Sequence, residues 1–584
     1  MLDKDITFKG VPVSPGISVG DVYLYLRNNF EINPRDLIPE DIEKEIGDFQ
    51  RSVEISIKEL SKIRNYSYEK IGEVNSLIFD AQLEFLQDKF FLSQIIHRIQ
   101  NEKRTADFIF NDEITKLEHA LLSSKDTYIR ERFEDIKDIK NRVIRNLKRE
   151  KLVSKIEENL IIISHELTPA DTILFSKRKV LGYATDKGGN TSHAAIISRA
   201  LRIPAVVGMK DITKSLKSGD HIIIDGSAGI IIKNPSEETL EAYREKIILL
   251  KEYEEKLKEI IDLPCTTTDN KEIELTANID FDEEIDFIIN TGHCGIGLYR
   301  TEHLFLEEGG FPSEEKQNEE YKHISDVVYP KNVTIRTYDI GGDKLLPRSE
   351  KEDNPFLGWR GIRICLDRED IFREQLCAVY KSSVNKNIRI LFPMISSVSE
   401  VRRVKEIIKE ITDELEKDGI EFDKNLKTGI MIEVPSAALL AEELAAEVDF
   451  FSIGTNDLIQ YLLAVDRGND LISNLYQEFH PAVIRTIRQI TEAAHKNNIS
   501  ISVCGEMASN PHAVVVFIGL GVDELSVSPS KYPEIKQIIR SISYKEAAIV
   551  CEEILKLSTE NEIKERIKKF NSNILNENSV TQLI

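Results

Sequence analysis

Cysteine is scarce in this chain and scattered. Six cysteines (Cys265, Cys294, Cys365, Cys377, Cys504 and Cys551) lie far apart with no C-x-x-C pair. That spacing excludes a disulfide framework or a zinc cluster and leaves free thiols. No stretch approaches the ~18 apolar residues that span a bilayer, and the longest candidate, "AVVVFIGLGV", is too short. The opening "MLDKDITFKG" lacks a basic segment followed by an apolar one, so the sequence predicts a cytoplasmic protein without a secretory signal. Positive charge is in deficit as well. The 77 Lys and Arg face 100 Asp and Glu, for a formal net charge of −23 at pH 7. This balance disfavours nucleic acid and anionic membranes and steers basic partners toward the surface. There is no G-x-x-x-x-G-K-[ST] loop, internal repeat or low-complexity segment.

What is present is an ordinary globular composition, 41% hydrophobic and 30% charged over 584 residues. At ~150 residues per core this predicts three or four domains, fewer if one is a large barrel. Residues 36–148 hold only Gly47 and Gly72 and show helical spacing in "NSLIFDAQLEFLQDKFFLSQIIHRI", which predicts a helical bundle. From "NLIIISHEL" to "IIIDGSAGIIIKNPS", short β-branched runs alternate with Gly-containing turns, predicting a compact α/β domain to which "VPVSPGISVG" adds a strand. The stretch "SEETLEAYREKIILLKEYEEKLKEIIDL" predicts a connecting helix, N-capped by Ser236 with Glu237 and Glu238 in its first turn. Beyond Cys265, eight short apolar runs are separated by helical stretches: "IELTANI", "GIGLYRTE", "VTIRTYDIGG", "IRILFPMI", "GIMIEVPSA", "FFSIGTND", "ISISVCGEMA" and "ELSVSPS". Eight alternations predict a (β/α)8 barrel, whose chemistry belongs at the C-terminal ends of its strands.

Reactive residues fall at those ends. Arg300 and Arg336, with Arg467 of "AVDRGND", suit one anion, because guanidiniums bind phosphate and carboxylate bidentately. Lys344 of "GGDK" adds a point charge. Glu433 and Asp457 supply two hard oxygen ligands, too few for a closed cage and suited to Mg²⁺ that also binds substrate phosphate and water. Asn456 offers an amide to substrate. Cys504, beside Gly505, carries a thiol with a reference pKa of ~8.5 that can protonate an enolate carbon. In the α/β region, "DKGGNTSHAAIIS" places Thr191, Ser192 and His193 at a helix start, after Gly188 and Gly189. Thr191 or Ser192 serving as a plain N-cap accounts for part of this pattern. A helix N-terminus also welcomes phosphate, and a neutral imidazole can accept a phosphoryl group and hand it on.

These motifs resemble enzyme I, the phosphoenolpyruvate-protein phosphotransferase family that begins the bacterial sugar phosphotransferase system. The resemblance runs nearly end to end through "GGNTSHAAI", "IPAVVG", "GIGLYRTEHLF", "IRTYDIGGDK", "NPFLGWRGIRI", "MIEVPSA", "FFSIGTNDLIQY", "DRGND", "HPAVIR" and "CGEMA". It implies that phosphoenolpyruvate phosphorylates His193, releasing pyruvate, and that His193 passes the phosphate to a histidine of the carrier HPr. It implies that Arg300, Arg336, Lys344, Asn456, Asp457 and Arg467 bind phosphoenolpyruvate, that Glu433 and Asp457 hold Mg²⁺, and that Cys504 protonates C3. It assigns residues 1–35 and 149–233 to a phosphohistidine α/β swivelling domain and 36–148 to an inserted HPr-binding subdomain. Residues 234–262 become a linker helix and 263–584 the phosphoenolpyruvate-binding barrel, through which a homodimer forms. Asn190 and Ala194 depart from the commonest family pattern and make that loop resemble the related dikinases in part, while Gln82 and Lys137 depart from it within the carrier-binding bundle that the resemblance implies and bear on carrier choice. The alternatives are a nitrogen-related branch of the family, a dikinase, for which there is no room for an ATP-binding domain, and a non-catalytic sensor of phosphoenolpyruvate.

Overall fold

The computed structural model describes the chain except residues 1–4, 27–31, 33, 72–76, 124–126, 150–157, 190–192, 281–283, 292–293, 309, 342–351, 353, 468, 470 and 576–584. It divides into two compact units, residues 1–249 and 250–583.

The first unit is built on an eight-stranded mixed sheet. Its strands are β1 (Ile6–Lys9), β2 (Val11–Ser14), β3 (Ile17–Tyr25), β4 (Leu160–Ser164), β5 (Gly182–Thr185), β6 (Ala205–Val207), β7 (His221–Asp225) and β8 (Ile230–Lys233). They lie in the order β1-β8-β7-β3-β4-β5-β6-β2. The central strands β3 to β6 run parallel, and β1, β2, β7 and β8 add antiparallel pairings. Ile161, Ile163, Ala184 and Val206 pack on one face, Ile162, Tyr183 and Ala205 on the other. Burial on both faces explains why these strands read as unbroken apolar runs. The N-terminal segment supplies three strands where the sequence predicted one. "VPVSPGISVG" itself holds β2 and the start of β3, because Pro15 and Gly16 turn the chain between them.

Among the described residues between β3 and β4 the chain forms five α-helices, Ile42–Ile71, Leu77–Gln87, Lys89–Glu102, Ala106–Ser123 and Thr127–Leu147. Phe49, Leu60, Phe79, Ile95, Phe110 and Val143 are among the residues of their common core. The same cluster takes in Ala170 and Ile173 of helix Pro169–Ser176, and Ile197 of helix His193–Ala200. Each of the larger side chains, from Val to Phe, contributes about 1.5–3 kcal/mol relative to exposure. The helix that begins at His193 is therefore held by the bundle as well as by the sheet.

Helix Glu237–Glu259 crosses the division between the units. Ser236 caps it as the sequence predicted, its Oγ accepting the Thr239 N–H at 3.2 Å. The second unit closes as a barrel of β9 (Glu274–Ile279), β10 (Ile296–Tyr299), β11 (Val333–Arg336), β12 (Ile388–Phe392), β13 (Lys427–Ile432), β14 (Phe450–Ile453), β15 (Ser500–Val503) and β16 (Glu524–Val527). All neighbouring pairs are parallel, β16 closing on β9. Each of the eight apolar runs forms one strand. Among the described residues, no helix is long and apolar enough to cross a membrane.

Candidate active site at the barrel mouth

A cleft of about 300 Å³ opens at the C-terminal ends of the barrel strands. Arg300 follows β10, Arg336 ends β11, Glu433 follows β13 and Cys504 follows β15. Asn456 and Asp457 lie in the first turn of helix Thr455–Leu463 after β14, and Arg467 comes from the loop beyond that helix. All seven line this one cleft. Lys344 lies outside the described residues.

The basic residues are held by carboxylates. Arg300 Nη1 donates to Asp280 Oδ2 at 2.7 Å, and Arg336 Nη2 to Glu302 Oε1 at 2.9 Å. Arg336 also pairs with Asp339 at 3.2 Å. Among the described residues, the buried Nε groups of Arg300 and Arg336 have no hydrogen-bond partner. A buried donor left unmatched is unfavourable, so these two point to an anionic ligand. Burial opposes the Arg336 charge, but Glu302 and Asp339 outweigh it and hold the guanidinium firmly protonated. Burial likewise lifts the Asp339 carboxyl, yet Arg336 and Arg360 keep it below the ordinary carboxylate value. At the rim, Asn456 Nδ2 and Arg467 Nη1 both donate to Glu506 Oε1, at 3.1 and 3.3 Å.

Strand-end logic missed Arg360. Its guanidinium bridges Asp339 (3.1 and 2.9 Å) and Asp457 (3.2 and 3.3 Å), a bidentate contact with each. Arg360 lies on no strand and reaches the mouth through a bridge to Gly341. Gly341 has φ +130°, and a Cβ there would come 2.3 Å from Trp359 O. The legible signal was the glycine punctuation of "DIGGDK" and "GWRGIRI", with Arg360 set between Gly358 and Gly361. Glu302 and Asp339, the partners of Arg336, were also missed: an acidic residue in the first turn of a helix, as Glu302 is, or in a loop, as Asp339 is, is unremarkable by itself.

Glu433 is 1% exposed and sits among charges. Its Oε1 accepts the N–H of Met394 at 2.6 Å, and Met394 holds the left-handed φ of 60° that presents this donor. Burial, then Asp457 and Asp339, push the Glu433 carboxyl up to about 8. Carboxylates crowded in this way favour a cation between them. Among the described residues no three His, Cys, Asp or Glu side chains converge as a closed cage. Two carboxylates on one open cleft do fit a hard dication that completes its shell with ligand and water.

Cys504 is 2% exposed, above an apolar floor of Leu298, Leu391, Met431 and Phe450. Burial pushes its thiol up to about 11, against a hydrogen bond from Ser452 that lowers it. The sulfur therefore carries its proton at neutral pH. Gly505 lets the following backbone pass close to Thr455, whose Oγ1 would lie 1.8 Å from a Cβ.

In the first unit, His193 is the first residue of its helix; its side chain, and Asn190, Thr191 and Ser192, lie outside the described residues. The root of that loop is fastened by Asp186. Its Oδ1 accepts the Thr213 N–H at 3.0 Å, and its Oδ2 contacts His165 Nδ1 at 2.9 Å. Gln82 is buried within the bundle, and Lys137 donates to Glu166 at 2.9 Å, tying bundle to sheet.

Comparison with known proteins follows this division. Residues 9–132 match the family described as PEP-utilising enzyme, N-terminal; 156–229 match PEP-utilising enzyme, mobile domain; and 254–544 match PEP-utilising enzyme, PEP-binding domain. A phosphoenolpyruvate-protein phosphotransferase of Buchnera aphidicola subsp. Schizaphis graminum is 40% identical, over 96% of this chain and 99% of the relative. One of Staphylococcus aureus is 38% identical over the same shares. The NMR solution structure of Enzyme I (nEIt) is 38% identical, covers 42% of this chain and 99% of its own, and superposes with a TM-score of 0.38. With relatives matched end to end and all three modules present in order, this chain belongs to the phosphoenolpyruvate-protein phosphotransferase family.

Proposed function

We propose that this protein moves the phosphoryl group of phosphoenolpyruvate onto His193, releases pyruvate, and passes the group to a histidine of an HPr-type carrier. One observation carries the reading: two arginines whose buried Nε donors are unmatched among the described residues, and one protonated thiol, line the same cleft. Arg300, Arg336 and Arg467 would grip the carboxylate and phosphate of phosphoenolpyruvate, with Lys344 adding charge and Asn456 an amide contact. Arg360 would hold Asp339 and Asp457 in place around them. Glu433 and Asp457 would hold Mg²⁺, which when bound offsets charge on the phosphate. The His193 imidazole attacks phosphorus, the P–O bond breaks, and the electron pair leaves as an enolate. The Cys504 S–H then gives its proton to C3, completing pyruvate.

His193 belongs to the first unit and the cleft to the second, so the two must meet for transfer and part for delivery. Residues 36–148 would receive the carrier, 1–35 and 149–233 would form the phosphohistidine domain, and 263–584 would bind phosphoenolpyruvate and dimerise. The test is incubation with ³²P-labelled phosphoenolpyruvate and Mg²⁺, followed by mapping of the label and assay of pyruvate. Label on His193 with matching pyruvate is expected, and none in His193→Ala. Cys504→Ala should keep phosphoenolpyruvate binding and slow pyruvate release by about 10²–10⁴-fold. Label on a different residue would overturn the reading.

A further inference from the structure

Ser452, on β14, is fully buried, in register between Met431 of β13 and Ser502 of β15. Its Oγ donates to Cys504 Sγ at 3.1 Å, and among the described residues the hydroxyl makes no other hydrogen bond. The sulfur lies in one buried cluster with Leu298, Leu391, Met431 and Phe450. A hydroxyl buried among apolar groups is unfavourable unless it is bonded, and here its bond goes to the sulfur. The thiol in turn contacts Ile453 O at 3.7 Å, so it is held between two groups of the same strand.

We propose that Ser452 is a positioning residue for Cys504, fixing the sulfur and donating to it as the thiol gives up its proton. The inference rests on the reading of Cys504 as the proton donor. When the S–H bond breaks and the C3–H bond forms, the electron pair stays on sulfur. A neutral acceptor becomes an anionic one, and the bond from Ser452 strengthens at that moment. The charged groups that act on the sulfur are Glu433, which opposes a thiolate, and Arg336 and Arg300, which favour it. Ser452 is the neutral donor already aimed at it, and needs no rearrangement.

The experiment compares Ser452→Ala, Cys504→Ala and the double variant in the full chain. Pyruvate formation is followed in a single turnover, together with iodoacetamide alkylation of Cys504 without substrate, read by peptide mass spectrometry. Ser452→Ala is expected to slow pyruvate formation about 10-fold, leave the half-saturating phosphoenolpyruvate concentration unchanged, and slow alkylation of Cys504 at pH 9. In the Cys504→Ala background the same substitution should change nothing. An equal loss in both backgrounds, or unchanged alkylation, would overturn the proposal. A wild-type chain that labels no His193 would instead sink the phosphotransfer reading, while alkylation still reports whether Ser452 acts on the sulfur.

Discussion

At the scale of single residues, the mouth of the barrel is governed by which charge stands beside which. Arg360 satisfies Asp339 and Asp457 together, so Arg360→Ala leaves two poorly solvated carboxylates without their fork. Removing one member of a buried pair costs about 3–5 kcal/mol, and urea unfolding of Arg360→Ala should show a loss of that order. Arg360→Lys should recover only part, since an ammonium cannot bridge both carboxylates bidentately. Cys504 makes a pH prediction with a definite sign. Burial raises its thiol to about 11, so the folded state holds this proton more tightly than the unfolded chain does. The associated stability is complete below pH 9 and lost as pH rises through about 11. Iodoacetamide should therefore modify Cys504 slowly at pH 8, with the rate still climbing above pH 10. A plateau near pH 9 would show an ordinary thiol.

At the scale of elements, the barrel strands were legible because each is buried on both faces, so "FFSI", "IRILF" and "ELSV" had to be continuous apolar runs. Arg300, Arg336, Glu433 and Cys504 were legible as polar exceptions at the ends of those runs. Arg360 was not, because loops carry arginine for many reasons and only the closed barrel brings this one beside Asp457. The three N-terminal strands were under-read, since four-residue strands such as β1 and β2 carry too few side chains to establish a period. Ser236 and its helix were readable from capping chemistry, but the grip on that helix was not. Lys246 Nζ donates to Asp225 Oδ2 at 2.9 Å, and Asp225 is fully buried, with Oδ1 accepting the N–H groups of Ser227 and Ala228. Asp225→Asn keeps the shape and removes the charge that neutralises Lys246. It should destabilise the first unit by about 3–5 kcal/mol, measured as earlier melting in calorimetry, and Lys246→Met in the same background should recover part of the loss.

At the scale of the whole chain, two units with separate cores make ligand binding and folding separable measurements. The cleft is lined wholly by residues of the second unit, whereas His193 and the helical insertion belong to the first. A ligand that binds one folded unit stabilises that unit alone, by about 2.7 kcal/mol at one hundred times its dissociation constant. For a unit of this length that amounts to a shift in melting temperature of about 4 °C. Calorimetry should thus show two transitions, with phosphoenolpyruvate and Mg²⁺ raising only that of the second unit, a shift lost in Arg336→Ala, and carrier protein raising only that of the first. Glu433 adds a dependence on pH. Its carboxyl is raised to about 8, so without a cation its contribution to stability is present below about 4.5 and lost as pH rises through 8. A dication reverses that trend by binding the ionised form, so the Mg²⁺-induced shift should grow from pH 6 to pH 9. In Glu433→Gln the growth should vanish, because the amide has no proton to lose; a shift that still grows there would place the cation elsewhere in the molecule.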